Sequence, residues 1–390
     1  MDITDIARPA DAAGISAFLR SLPARPLLLG LGEARHFVAE LGQLRNDIFR
    51  HLVTHEGYRS IAVESDCLMG LVVDEYVATG TGTGTLDDVM RHGFSHQFGT
   101  SPANRDLVSW MRAYNDDHDD KLRFHGFDGP LEYWAASPRQ ALTGLHDLLD
   151  DPPPGTRDTL DTLLGPDERW SDPATVTDPS RSIGRSTDAR QLRLITDDLL
   201  ALLDTQAPQL DPADRERAEL YGRTAVGLLR YHHAMADPSP ARIARLSALR
   251  DAMMAANLRA VADHGPALVF AHNLHLQRSR SVMSFGDQQL RMWSAGAITA
   301  ARLGDRYAYL ASALGTIGDD TPPPDTVEGV LATVPWDTCL VDARRLARTL
   351  TAAVPRVSPD FAYFPLDPAR LDTVDGVVFV RHVPRPGAPR

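Results

Sequence analysis

Apolar residues recur along the chain in two rhythms. Short, nearly unbroken runs occur at Pro26–Gly32, Arg59–Glu64, Leu122–Phe127, Pro266–His272, Arg306–Ser312 and Gly376–Val380. Runs of this length, closed by glycine or polar residues, suit strands buried on both faces of a sheet. Elsewhere the period is helical. From Phe37 to Thr54, the residues Leu41, Leu44, Ile48, Leu52 and Val53 share one face, and Gly57 supplies a stop. Residues 70–79 and Asn104–Asn115 read as helices too. Strand, helix and strand in close succession make a βαβ unit, which requires parallel pairing.

Between Pro130 and His264 the strand signal disappears. Helical patterns at Pro138–Leu149, Asp188–Leu203, Asp211–Met235 and Ala241–Ala262 are separated by connectors such as Asp151-Pro152-Pro153-Pro154-Gly155 and Asp237-Pro238-Ser239-Pro240. The expected fold is therefore α/β: a mostly parallel central sheet flanked by helices, with an inserted helical subdomain covering the active-site cleft. Residues 1–129 and 265–383 would form the core and 130–264 the insert, with 384–390 a disordered tail.

Composition narrows the partners. With 43% hydrophobic and 24% charged residues among 390, the chain is of ordinary globular type. A net charge of −12 gives no electrostatic footprint for nucleic acid or anionic lipid, so a small-molecule partner is expected. Cys67 and Cys339 form no metal-spaced pair and read as buried thiols. No signal peptide and no run of about 20 apolar residues is visible, so a cytoplasmic monomer or homodimer is expected. Gly80-Thr81-Gly82-Thr83-Gly84 reads as a flexible loop, since it lacks the strand and lysine of a phosphate loop.

Ligands of open α/β sheets bind at the carboxyl ends of the strands, and polar residues gather there. Glu33 and His36 follow the first strand, and Glu64 and Asp66 end the second. His125 and Asp128 end the third, and His272, Asn273 and His275 follow the fourth. A neutral imidazole can take a proton from water near neutral pH, and a carboxylate beside it fixes its tautomer. A second imidazole can donate to a developing oxyanion. The same groups are also donors for a divalent ion, with His272 and His275 as the nearest pair, although their strand-end spacing is not that of ligands on a helix. No GxSxG nucleophile elbow is present.

Six segments resemble the erythromycin esterase family, in the family's order. They are Gly32-Glu33-Ala34-Arg35-His36, Gln43-Leu44-Arg45, Ala62-Val63-Glu64-Ser65-Asp66, Ser109–Asn115, Leu249–Asn257 and Ala271-His272-Asn273-Leu274-His275. The resemblance implies an α/β core with a deep cleft and metal-independent hydrolysis without a cofactor. It casts His36 as the base that activates water, Glu33 and Glu64 as its positioning carboxylates, and His272 as an assistant. Arg45, Arg250 and Asn257 would line or brace the cleft, the arginines being paired with Glu33, Glu64 or Asp66. Asp66, Asn104, His125, Asn273 and His275 complete the expected substrate-binding set. Two positions depart from the family: Phe37 stands where glycine is usual, and Cys67 where tryptophan is frequent.

The expected activity is cleavage of an ester or lactone in a polyketide-like or macrolide substrate, in antibiotic resistance or natural-product biosynthesis. Two alternatives remain at this point. One is a tailoring enzyme using the same base for elimination, cyclisation or acyl transfer. The other is a non-catalytic small-molecule binding protein.

Overall fold

The structure is a computed structural model that describes residues 3–80, 84–132, 135–285, 288–350, 352–360 and 362–385. The centre of the glycine-rich loop (81–83) and most of the expected tail (386–390) lie outside the described residues. The strands, in chain order, are β1 Ala7–Pro9, β2 Leu28–Glu33, β3 Ser60–Asp66, β4 Arg123–Asp128 and β5 Ala267–His272, followed by β6 Arg280–Phe285, β7 Gln288–Trp293, β8 Tyr307–Ile317, β9 Thr338–Asp342 and β10 Gly376–Val383. All six expected strands are present, with boundaries shifted by a few residues.

Eight strands form one sheet in the order β1-β9-β10-β8-β2-β5-β3-β4, and β6 pairs with β7 as a separate hairpin. Every pairing from β10 across to β4 is parallel. Only the short edge additions, β1 on β9 and β9 on β10, are antiparallel. The sheet is thus mostly parallel, as its apolar runs predict.

Burial on both faces explains those runs. Ala267, Val269 and Ala271 of β5 enter one core with Leu258 and Val261 of the helix Arg242–Asp263. The alternate residues Leu268 and Phe270 enter the other, with Ile48 and Leu52 of the helix Ala39–His55 and Met111 of the helix Pro102–Asp117. Each fully buried Leu, Val or Phe side chain contributes about 1.5–3 kcal/mol. The chain leaves β2 for β3, returns to insert β5 between them, and then crosses to β8 on the far side of β2. Such a reversal of direction opens a crevice at the strands' carboxyl ends.

The long connection from β4 to β5 is helical. The helices Arg139–Leu148, Thr156–Leu164, Thr187–Gln206 and Pro212–Met235 share a core through Leu142, Leu160, Leu192 and Leu229, closed towards the sheet by Cys67 and Leu68. Ser186 and Asp211 cap the two longest of these four, and Pro212 occupies the first turn of the last. The helix Arg242–Asp263 belongs to both regions. Its Leu246 and Met253 pack with Tyr231 and Met235, whereas Met254 and Leu258 enter the sheet core. Both cysteines are buried and free, and burial pushes each thiol up to about 12. No helix of the described residues is long and apolar enough to cross a membrane.

Candidate active site

The end of β2 is fixed by one close approach. A Cβ on Gly32 would lie 2.0 Å from Asn273 Oδ1, so glycine is required for the Asn273 amide to sit there. That amide accepts from Ser312 N and Tyr309 Oη and donates to Ser312 O, tying the end of β5 to β8 beneath the cleft. Ala34 N then donates to Ser312 Oγ at 2.7 Å, and the chain turns to present Glu33 and His36 together. His36 Nδ1 donates to Glu33 Oε2 at 2.6 Å, which leaves Nε2 as the free ring nitrogen. Burial lowers the His36 pKa, but Glu33 and Glu64 outweigh it and raise it to about 9. At Phe37 the backbone has φ 64°, the left-handed region that favours glycine.

Glu64 is placed by a bulge. Val63 pairs with Gly126 and Asp66 with Asp128, so Glu64 and Ser65 oppose Phe127 alone. Such a bulge bends its strand and re-aims the side chains within it. Glu64 Oε2 accepts from His272 N at 2.7 Å, and Oε1 faces Arg250 Nη2 at 3.2 Å and His275 Nε2 at 3.4 Å. His36 Nε2 stands 4.0 Å from the same oxygen. Burial pushes the carboxyl up, yet His275, His36 and Arg250 together hold it well below the usual carboxylate range.

Glu64's cationic partners are anchored in turn. Arg250 grips Asp128 through Nε and Nη2, at 3.0 and 2.6 Å. His275 Nδ1 donates to Asp251 Oδ1 at 2.9 Å, and that oxygen also accepts from Ala295 N. Burial lowers the His275 pKa, but the carboxylates of Asp251 and Glu64 raise it above its ordinary value. His272 differs. Its Nδ1 accepts from Leu274 N at 3.2 Å, so the neutral ring carries its proton on Nε2. Burial and the nearby His36 lower its pKa to about 3. The His36 and His272 ring centroids are 5.0 Å apart: one imidazole favours its charged form and the other its neutral form.

Beside this cluster opens a cavity of about 500 Å³, lined by Glu33, Phe37, Val63, Glu64, Phe98 and Phe270 among others. Its wall is strained. Of the four described non-glycine residues with positive φ, Phe37 and Gln97 line the cavity and His96 precedes Gln97. Phe98 lies edge-on to His36 at 5.2 Å and stacks at a tilt on Phe37 at 5.4 Å. Phe98 falls in none of the six segments that resemble the family, and Asp251 lies within Leu249–Asn257 without a role expected of it. Arg35 is held by Asp360 at 2.5 Å, a partner 325 residues away that sequence spacing does not signal.

Thus Glu33, His36, Glu64, His272, His275 and Arg250 converge, while the other expected site residues do not join them. Arg45 is buried along the cavity wall and hydrogen-bonds to Asn104 Oδ1, Asn46 Oδ1 and Ala103 O, with no carboxylate among the described residues in ion-pair range. Its expected pairing with Glu33, Glu64 or Asp66 is corrected: amide oxygens satisfy it, Glu33 acts on it only from beyond ion-pair distance, and burial lowers its pKa to about 10. Asn104 reaches the cavity as the partner of Arg45. Asp66 caps the turn after β3 by accepting from Leu68 N and Met69 N. Burial raises its pKa to about 6. Asn273 is a fully buried brace. His125 and Asn257 line a different cavity at the edge strand β4, which corrects their expected place in the cleft. The reason is periodicity: three residues apart on a strand, His125 and Asp128 point to opposite faces. Although both belong to this cluster, His272 and His275 do not form a ligand pair, since both His275 nitrogens face carboxylates and His272 Nδ1 caps a short helix.

Comparison with known proteins bears on this geometry. Residues 53–383 match the sequence profile of the erythromycin esterases. The chain belongs to the erythromycin esterase family. It is 28% identical over 131 residues to erythromycin esterase type II of Escherichia coli, covering 34% of this chain and 30% of that protein. To erythromycin esterase type I of the same organism it is 26% identical over 122 residues, covering 31% and 28%. These matches span under a third of the curated relatives' length. Over whole chains the fold is shared more widely. A Bacillus cereus protein superposes with TM-score 0.75 at 18% identity, covering 99% of this chain and 98% of the other. An erythromycin esterase mutant in its open conformation gives TM-score 0.68 at 18% identity, with 98% of each chain covered. The family profile begins downstream of Gly32–His36, so that signature rests on its motif and on the geometry above.

Proposed function

We propose that this erythromycin esterase family member hydrolyses an ester or lactone in a polyketide-like small molecule. In this reading His36 Nε2 is the base. It takes a proton from water, the resulting hydroxide oxygen attacks the carbonyl carbon, and the carbonyl π electrons move onto oxygen. His272 Nε2–H donates to that oxyanion. Collapse of the intermediate breaks the C–O bond, and His36 returns its proton to the departing alkoxide. The observation that carries the reading is the Glu33–His36 pair: a committed Nδ1, a free Nε2, and a neutral imidazole donor with its ring 5.0 Å away.

The cavity supports the substrate class, because Phe37, Val63, Phe98 and Phe270 offer a broad apolar wall to a reduced polyketide chain. Residues 130–264 act as the inserted cover, and their last helix, Arg242–Asp263, carries Arg250 into the strand-end cluster. Imidazoles fill both the proton-transfer and the oxyanion roles, so the reaction is read as metal-independent. The test is hydrolysis of a macrolactone panel in isotopically labelled water. Solvent oxygen is expected in the product acid, turnover should withstand a chelator, and His36→Ala should lower kcat by about 10³-fold with the fold intact. Unchanged turnover in His36→Ala would remove the base assignment.

A further inference from the structure

His125 and Asn257 border a second cavity, of about 470 Å³, lying between β4, the helix Gly70–Thr79 and the helices Pro212–Met235 and Arg242–Asp263. Its charges divide into two sets. Of the lining carboxylates, Asp74 and Glu216 are already engaged, both by Arg123 at 3.0 Å, and Glu216 also by His264 Nε2 at 3.2 Å, while Glu75 is exposed to solvent. Arg223 is not. Its Nε donates to Asn257 Oδ1 at 2.8 Å, and among the described residues no carboxylate lies in ion-pair range of it. Burial lowers its pKa, and Glu219 and Glu216, which act on it from beyond ion-pair distance, do not offset that. Arg217, on the same wall, has no carboxylate partner among the described residues either. His125 Nε2 is buried with no hydrogen-bond partner, and the His125 ring stacks on His264 at 6.1 Å. Leu71, Phe124, Leu220 and Val261 supply apolar surface between these groups.

A half-buried guanidinium without a carboxylate, facing open volume beside an apolar wall, is a recognition element for a carboxylate with a hydrocarbon body. We propose that this cavity is a second binding site, separate from the His36 cleft, for a small organic carboxylate paired with Arg223. The site is wired to the cleft. Asn257 accepts from Arg223 and donates to Phe127 O, the residue before Asp128, and Asp128 holds Arg250 against Glu64.

The test uses hexanoate, benzoate and phenylacetate with benzamide as the neutral control, followed by ligand-observed NMR and by crystallography of soaked crystals. At least one carboxylate should bind to the full-length protein, with its carboxyl beside Arg223 and with benzamide bound more than tenfold more weakly. Arg223→Gln should weaken that carboxylate by about tenfold or more, Arg223→Lys should retain part of the affinity, and His36→Ala should leave it unchanged. Thermal melts of the variants keep loss of binding distinct from loss of fold. No binding by any of the three at millimolar concentration, or binding that Arg223→Gln leaves intact, would overturn the proposal. Binding lost in His36→Ala would do the same, because it would place the ligand in the cleft.

Discussion

The two sides of the cleft are built on opposite principles. On the Glu64 side every charge has a fixed partner: Arg250 holds Asp128 and Glu64, and His275 bridges Glu64 and Asp251. On the His36 side one ring nitrogen is free, the backbone of Phe37 and Gln97 is left-handed, and three aromatic rings meet edge to face or tilted. Reaction geometry needs both. The saturated side sets a fixed electrostatic field, and the strained side keeps an unsatisfied group exposed to substrate.

The contrast is sharpest in what substitutions should do. Glu64→Gln removes a counter-charge from buried His275 and half-buried Arg250, so unfolding free energy should fall by about 3 kcal/mol, measured by denaturant titration. A loss below about 1 kcal/mol would show that the saturated side is not saturated. Asp251→Asn keeps an acceptor for Ala295 N but takes the charge from His275, and a loss of about 2 kcal/mol is expected by the same measurement. Neither change has a counterpart across the cleft, where Phe37→Gly should relieve about 1 kcal/mol of backbone strain and forfeit a similar amount of ring packing. Its net effect on stability should stay within about 1 kcal/mol, with KM moving more than kcat.

Titration separates the two imidazoles. With its pKa raised to about 9, His36 is mostly protonated at neutral pH in the free protein, so kcat/KM should climb with pH up to about 9 before levelling. If His272, lowered to about 3, were the base, the same plot would already be flat from weakly acidic pH upward. Stability should move the other way. A raised folded-state pKa contributes stability in full below the unfolded value of 6.5 and loses it as pH rises towards 9. Comparing the denaturation midpoints of the wild type and His36→Ala across that window isolates the contribution.

Much of this was legible beforehand, and the exceptions follow a rule. Strands buried on both faces announce themselves as apolar runs, which is why β2, β3, β4, β5, β8 and β10 could be read. The edge strand β1 has only three residues and ends in Pro9, the hairpin strands β6 and β7 begin with polar residues, and β9 has just Cys339-Leu340-Val341 between polar ends, so none of the four produces a run of that length. The Glu33–His36 pair was readable because its members are three residues apart. Asp360 and Phe98 were not, because their contacts to the site close long loops and nothing local marks them. His125 was misplaced by counting proximity to a strand end without counting the alternation of faces. Arg45 was assigned a carboxylate because buried cations usually require one, and here three amide oxygens meet its needs instead.

The Asn273 amide occupies the volume that a side chain at position 32 would need. Positions 32 and 273 are therefore interlocked parts: a larger residue at one demands a smaller one at the other, and a smaller one at 273 releases Ser312 and Tyr309 as well. Attempts to reshape this cleft for new substrates have freedom along Phe37 and Phe98, and almost none at the keystone beneath them.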